Sequence, residues 1–283
     1  MRVDLRGRTA LVTGATSGIG AETALGLARL GARVGIVGRD PARTAAMVAR
    51  LSSETGAEAD AFVADLLEQA QVRRLAAEAS ARYPSLDILV NNAGAIFTER
   101  HVTADGFERT WALDHLAYVL LTHELMPRLA AAPAARIVNV ASAAHTRGRI
   151  DFDDLDGARR FSAMGSYAQA KLGNVLFTYA LARRLAGTRM TANAVHPGVV
   201  ATGFAGNTSG WLRLAWSLIR PLLITPQKGA RTPLHVATAP EVEGVSGRYF
   251  ARCRPVASSA LSRDEALQEK LWALSRRQVG IAG

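Results

Sequence analysis

The feature that most constrains the fold is a glycine-rich turn near the start of the chain. The apolar run Arg8–Thr13 predicts a strand, and the Ala- and Leu-rich stretch Gly18–Leu30 predicts a helix. Between them lie Gly14, Gly18 and Gly20. Glycines at this spacing let the chain turn sharply off a strand and bring its backbone close to a ligand, while the free N–H groups of the helix start favour phosphate. The turn therefore predicts a dinucleotide site, although glycine turns of this kind also occur without ligands.

Strand and helix patterns keep alternating after this turn. Further strands are predicted over Arg33–Val37, Ala59–Ala64, Leu86–Val90, Ala135–Ala141 and Met190–Val195. Long helices are predicted over Asp105–Ala131 and Ser166–Ala186. We therefore expect residues 1–283 to form a single α/β domain, a Rossmann fold whose doubly wound, mostly parallel sheet has about seven strands and helices on both faces.

Composition excludes several classes of protein. The formal net charge is +10, but the arginines are spread along the chain, which indicates a solvated basic surface rather than a nucleic-acid site. The single cysteine, Cys253, can form neither an internal disulfide nor a metal cluster, so we expect no metal. The N-terminal residues lack the pattern of a secretory signal, and we expect a cytoplasmic protein.

The end of the second predicted strand bears on the choice of cofactor. Asp40 precedes Pro41, which is the pattern of a helix N-cap followed by proline at the first helical position. Arg39 is then free to face the adenosine ribose, where a guanidinium suits a 2′-phosphate. We therefore expect NADP(H) as the cofactor, with NAD(H) as the alternative. The alternative is that Arg39 is a surface arginine without a ligand.

A second set of residues indicates proton chemistry. Tyr167 and Lys171 share a face of a predicted helix, and Ser142 follows a predicted strand at the carboxyl edge, where doubly wound sheets bind ligands. The ammonium of Lys171 is expected to lower the pKa of the Tyr167 phenol, as a proton-transferring group requires. The alternative is that Tyr167 is an aromatic residue of the core beside an amphipathic lysine.

Together these motifs resemble the short-chain dehydrogenase/reductase family over essentially the whole chain. Thr13–Gly20 is similar to the family's TGxxxGIG, residues 91–94 to its NNAG, and residues 196–198 to its PG motif. The segments Ile137–Ser142, Ala182–Leu185 and Thr225–Gln227 are similar to those of the retinol-dehydrogenase-like branch of this family. The cofactor contacts expected from the turn, from Arg39 and from the resemblance are Gly14, Thr16, Ser17, Gly18, Ile19, Gly20, Arg39, Asp65, Leu66, Asn92, Ala93, Gly94, Tyr167, Lys171, Pro197, Gly198, Val200 and Thr202.

One position departs from the family pattern. The asparagine of the family's Asn-His-Leu sequence is replaced by Asp114, which precedes His115. In the family this residue helps to hold a water through its backbone carbonyl, which aspartate also supplies. We expect water in the site to screen the Asp114 carboxylate. The alternative is that the carboxylate pairs with Lys171 and weakens its effect on Tyr167. His115 and His145 are interpreted as packing or surface residues.

The resemblance implies hydride transfer between the cofactor and a carbonyl or alcohol, with Ser142, Tyr167, Lys171 and Asp114 as the catalytic set. The apolar stretch within a flap at about 203–224 favours a small hydrophobic substrate. This stretch is too short and too charged to span a membrane. The alternatives to a role in substrate binding are packing against the rest of the protein, a homo-oligomer interface and peripheral membrane contact. The alternative function is a weakened NADP(H)-binding sensor or partner subunit.

Overall fold

A sheet of eight strands forms the centre of the protein in this computed structural model, which describes residues 3–198 and 224–281. The strands lie in the order β3-β2-β1-β4-β5-β6-β7-β8, the first seven parallel and the last antiparallel. Their bounds are β1 Thr9–Thr13, β2 Arg33–Gly38, β3 Ala59–Val63, β4 Ile88–Asn91, β5 Arg136–Val140, β6 Thr191–His196, β7 Tyr249–Ala251 and β8 Arg254–Val256.

Helices cover both faces of the sheet. In the described part of the chain they are α1 Gly18–Arg29, α2 Pro41–Thr55, α3 Gln69–Arg82, α4 Arg109–Trp111, α5 Ala117–Glu124, α6 Met126–Ala130, α7 Ala163–Arg184, α8 Pro226–Thr238 and α9 Glu265–Gln278. One hydrophobic core joins α1, α2 and α8 to the sheet, and the other joins α3, α5, α7 and α9 to its opposite face. No described helix has the length and apolar character needed to cross a membrane.

The doubly wound fold predicted from sequence is confirmed, and the predicted strands agree with the observed ones to within two residues at each end. The strand beyond the seven parallel ones is β8, which pairs with β7 through a tight hairpin. Arg252 and Cys253 form the turn of this hairpin, both with positive φ. Because these residue types rarely adopt that conformation, the sequence carries no ordinary turn signal here.

The prediction of one continuous α-helix over Asp105–Ala131 is wrong, because the helix starts later and its α-helical pattern is interrupted at two places. The helix begins only after Glu108, whose carboxylate accepts hydrogen bonds from the Thr110 and Trp111 N–H groups. Residues Ala112–Leu116 then form a wider π-helical turn. A second break separates α5 from α6 just before Pro127, which has no N–H to continue the hydrogen-bond ladder.

Candidate active site

The glycine turn places an open helix start at the carboxyl edge of the sheet. Gly14 and Gly18 have φ of 63° and 58°, in the left-handed region that favours glycine. A Cβ at Gly20 would lie 2.3 Å from the Gly14 carbonyl oxygen, so the tight turn excludes a side chain. Ser17 precedes α1 without capping it through its side chain, and the first turn holds no acidic residue. The N–H groups of this turn therefore suit the pyrophosphate of a dinucleotide.

Thr13 joins this turn to the Asn92–Gly94 loop that follows β4. The Thr13 hydroxyl accepts hydrogen bonds from the Asn92 N–H at 2.8 Å and the Ala93 N–H at 3.0 Å. In return the Asn92 side chain donates to the Thr13 carbonyl oxygen at 2.8 Å. The two loops thus form one rigid cradle. Thr13 was not among the predicted site residues, although its place before the first glycine is the signal that could have indicated it.

The end of β2 lies beside this cradle. A Cβ at Gly38 would come within 2.4 Å of the Thr16 side chain. Asp40 caps α2 by accepting a hydrogen bond from the Arg43 N–H at 2.8 Å, which confirms its predicted structural role. Arg39 is exposed and forms no hydrogen bond or ion pair with any other residue that the structure describes. Its guanidinium therefore remains available to a ligand.

Asp65 and Leu66 lie at the end of the neighbouring strand β3. The Asp65 carboxylate accepts a hydrogen bond from the Leu67 N–H at 3.0 Å, so it also stabilises its own turn, and Leu66 is buried. At the other side of the sheet, Pro197 and Gly198 follow β6, and Gly198 has φ of 98°. Val200, Thr202 and all of the predicted flap except Ile224 lie outside the described residues.

Ser142, Tyr167 and Lys171 come together as the sequence predicts. Ser162 caps the start of helix α7 through its hydroxyl, which accepts a hydrogen bond from the Gly165 N–H at 3.3 Å. The helix presents Tyr167 and Lys171 one turn apart. The Lys171 Nζ lies 5.5 Å from the centroid of the Tyr167 ring. The Ser142 hydroxyl, at the end of β5, lies close enough to the Tyr167 phenol to lower the pKa of that phenol. This places two hydroxyl groups and one ammonium at the carboxyl edge.

His145 fixes the backbone that carries Ser142. The His145 Nδ1 donates to the Ser142 carbonyl oxygen at 2.7 Å, and its Nε2 accepts from the Ser259 N–H at 3.1 Å. The imidazole is buried, and burial lowers its pKa, which favours the neutral form. His145 is therefore a structural residue, as predicted, but one that holds a member of the candidate catalytic set.

Asp114 forms a buried ion pair with Lys171. The Asp114 Oδ2 lies 2.9 Å from the Lys171 Nζ, and the exposed fractions of the two residues are 0% and 3%. The other carboxylate oxygen accepts a hydrogen bond from the Ala95 N–H at 2.8 Å. The expectation that water screens this carboxylate is wrong, because the π-helical turn directs the side chain into the protein and against the ammonium. The alternative of a direct pair is the one that the structure contains.

Burial and this pair set the pKa values of the site. Burial alone lowers the pKa of Lys171, but Asp114 and two neighbouring phenols outweigh it, so the pKa is raised and the amine is charged at neutral pH. Burial raises the pKa of Asp114, against the opposing effects of Lys171 and the Ala95 N–H. The pair is nevertheless ionic, because protonation of Asp114 would leave a buried ammonium without its anion.

The pKa of Tyr167 is raised, contrary to the expectation from sequence. Burial is the main cause, and the charge of Asp114 adds to it. Lys171 lowers the pKa of Tyr167, as expected, and the Ser142 hydroxyl also lowers it, but the two effects do not compensate for burial. Tyr167 is therefore a protonated phenol at neutral pH, which suits the donation of a proton rather than its removal.

A parallel sheet with a glycine turn after β1 and a Ser-Tyr-Lys set after β5 defines the class of dinucleotide-dependent oxidoreductases. The profile of the short chain dehydrogenase family matches residues 8–213, and the chain belongs to this family. It is 40% identical to retinol dehydrogenase 12 of Mus musculus over 280 residues, which cover 99% of this chain and 88% of that protein. It is 43% identical to dehydrogenase/reductase SDR family member 13 of Bos taurus, with 98% and 74% covered. The chain is thus a retinol-dehydrogenase-like member.

Solved structures show the same fold. An uncharacterized protein from Mycobacterium paratuberculosis is 32% identical, with a TM-score of 0.81 over 99% of this chain and 96% of that one. A short chain dehydrogenase from Burkholderia cenocepacia in complex with NADP is 28% identical, with a TM-score of 0.71 over 87% of this chain and 96% of that one.

Proposed function

We propose that this oxidoreductase is an NADP(H)-dependent enzyme that interconverts a hydrophobic carbonyl and its alcohol, with Tyr167 as the proton donor. The observation that carries the proposal is the placement of Tyr167 and Lys171 one helical turn apart, with the Lys171 Nζ 5.5 Å from the centroid of the Tyr167 ring and Ser142 at the end of β5. This arrangement lies at the same edge of the sheet as the glycine turn. A substrate oxygen can accept two hydrogen bonds there, close to the cofactor cradle.

NADP(H) fits the residues of the cradle. The start of α1, which has no side-chain cap, suits the pyrophosphate, and the exposed guanidinium of Arg39 suits a 2′-phosphate. The nicotinamide, when bound, supplies a hydride to the substrate carbon. Three structural neighbours were solved as complexes with NADP, which supports the choice of this cofactor.

The residues of the chain supply the proton. In the reductive direction, Ser142 and Tyr167 donate hydrogen bonds to the carbonyl oxygen and polarise it. As the hydride reaches the carbon, the phenol proton passes to this oxygen and leaves a phenolate on Tyr167. The Lys171 ammonium stabilises that phenolate, and in the oxidative direction the phenolate takes the proton back.

The names of the relatives support a substrate class. Several of them are named retinol dehydrogenases, which supports a long apolar aldehyde or alcohol as the substrate of this chain. Because these relatives and the SDR family member are all named as dehydrogenases, they support the enzyme over the alternative of a non-catalytic sensor.

Reduction of all-trans-retinal tests the proposal. The purified full chain is incubated with retinal and either NADPH or NADH, and retinol is separated and measured. We expect retinol formation that is faster with NADPH and is abolished in Tyr167→Phe. Binding of NADPH, measured by fluorescence in the same samples, is the control. Binding without turnover of retinal or shorter aldehydes would instead favour the sensor.

A further inference from the structure

A chain of buried hydrogen bonds runs from the C-terminal helix α9 to the catalytic lysine. The Ser275 hydroxyl lies 2.8 Å from the His115 Nε2, and the His115 Nδ1 lies 3.2 Å from the Asn174 Oδ1. Asn174 donates through Nδ2 to the Asp114 carbonyl oxygen at 2.8 Å, and the Asp114 carboxylate pairs with Lys171. None of these five residues is more than 3% exposed.

Asn174 fixes the direction of these bonds. Its amide nitrogen can only donate, so the amide oxygen faces the imidazole and must accept. The proton of His115 is therefore on Nδ1, and Nε2 accepts a hydrogen bond from the Ser275 hydroxyl. Burial lowers the pKa of His115 to about 4, so the ring stays neutral at physiological pH. Each ring nitrogen thus has one defined partner.

The same bonds support the π-helical turn that carries Asp114. The Ala117 N–H bonds to the Ala112 carbonyl five residues earlier, which widens the turn. Asn174 reaches this turn from α7, one turn beyond Lys171. The position of the Asp114 carboxylate relative to the ammonium therefore depends on contacts from two other helices, α7 and α9.

We propose that Ser275, His115 and Asn174 are positioning residues of the reaction. They hold Asp114 against Lys171, and they make correct docking of the C-terminal helix a condition for full activity. The inference rests on the proposed function for its kinetic part only, since the geometry of the Lys171 site can be measured without turnover. Positioning of this kind affects the rate more than the affinity, because small displacements of a catalytic group cost rate.

Ser275→Ala is the test variant, and Gln278→Met is its matched control. Gln278 lies one turn further along α9 and accepts a hydrogen bond from the Trp111 Nε1 at 3.1 Å, so its replacement also removes a bond between α9 and the same segment. It is not part of the chain to Asp114. We expect Ser275→Ala to lower kcat about tenfold with the KM for NADPH unchanged within about twofold, and Gln278→Met to change kcat by less than about twofold.

Lysine NMR gives a readout that does not depend on activity. The sequence contains only Lys171, Lys228 and Lys270, so a sample labelled with ¹³C-lysine gives three resolvable Cε environments. We expect Ser275→Ala to shift the Lys171 signal and to leave that of Lys228 in place. Gln278→Met should leave the Lys171 signal unchanged.

The outcomes separate this inference from the proposed function. A wild-type protein that binds NADPH but reduces no aldehyde would contradict the proposed function. The lysine spectra would still test the hydrogen bonds that link Ser275 to Lys171. Wild-type kcat and an unshifted Lys171 signal in a folded Ser275→Ala variant would overturn the inference alone, as would equal losses in both variants. If Ser275→Ala does not fold, Ser275→Cys keeps a weak donor in nearly the same volume and serves for the same comparison.

Discussion

The Lys171 ammonium lies 2.9 Å from the Asp114 carboxylate, and both groups are shielded from solvent. The pair has two opposite effects on the reaction. The anion keeps the amine charged inside the protein, but it also cancels part of the positive field that would stabilise a Tyr167 phenolate. The asparagine of the family pattern would exert only a dipole at this position. The pH dependence of this enzyme should therefore report on Asp114 directly.

Asp114→Asn is expected to shift the pH profile of carbonyl reduction. Tyr167 must carry its proton to reduce a carbonyl, so the rate falls as the pH rises through the pKa of the phenol. The charge of Asp114 raises that pKa, and its removal should move the basic limb to lower pH by about one unit. The sequence predicted that water would screen this charge, but Asp114 is fully buried, so the charge acts on Tyr167 without that screening.

Glu108→Gln is the matched control for this shift. Glu108 is also fully buried, but its carboxylate accepts hydrogen bonds from the start of α4 and forms no ion pair with any described cation. Its replacement should lower stability without moving the basic limb. An identical shift in both variants, or none in Asp114→Asn, would contradict the role of the buried pair. Asp114→Asn itself should also lose about 3 kcal/mol of stability, since it leaves a buried ammonium without its anion.

Tyr167→Phe is expected to abolish turnover and to leave NADPH binding intact. The phenol proton is needed for the proposed chemistry, whereas the dinucleotide is expected to bind mainly to the backbone N–H groups of the cradle. Tyr118→Phe is the comparison, because Tyr118 is a second buried phenol whose ring centroid is also 5.5 Å from the Lys171 Nζ. Its hydroxyl donates to the Ala93 carbonyl oxygen at 2.8 Å. Retained turnover in Tyr167→Phe, or its loss in Tyr118→Phe alone, would assign the proton to another group.

Gly94→Ala is expected to lower kcat by disturbing the ion pair. A Cβ at Gly94 would lie 2.7 Å from the Asp114 Oδ2 and 3.1 Å from the Lys171 Nζ, so one of the two groups must move. We expect a loss of about tenfold or more, because the displaced group belongs to the site itself. Gly26→Ala is the control, since the three atoms nearest to its Cβ would all belong to the flexible side chain of Leu234. It should affect the melting temperature and leave kcat near that of the wild type.

The sequence predicted those parts of the site that depend on local spacing. The glycine turn lies within a single strand-turn-helix unit, and Tyr167 and Lys171 lie one helical turn apart, so both could be recognised from periodicity alone. The Asp40 cap could be recognised in the same way, because Pro41 follows it.

The remaining features depend on contacts between distant parts of the chain. The π-helical turn at Asp114 is stabilised by Asn174, which is 60 residues away, and no local pattern distinguishes it from a continuous helix. For the same reason the sequence did not predict the burial of the Asp114 carboxylate, because the π-helical turn sets the direction of this side chain. Strand β8 has only three residues and lacks a glycine in its hairpin, so neither its length nor its turn predicts it.

Arg39→Asp is expected to shift the cofactor preference from NADPH toward NADH. Arg39 follows β2, is exposed, and forms no ion pair with any residue that the structure describes, so its charge is free to bind a 2′-phosphate. An aspartate there would repel that phosphate and accept hydrogen bonds from the 2′-hydroxyl of NADH. We expect the ratio of kcat/KM values for the two cofactors to change about a hundredfold, or about 2.7 kcal/mol. Arg189→Asp makes the same change of charge just before β6, at the opposite edge of the sheet, and should leave the ratio unaltered. An equal loss of kcat/KM with both cofactors in Arg39→Asp would contradict the prediction, because Arg39 would then not determine the cofactor preference.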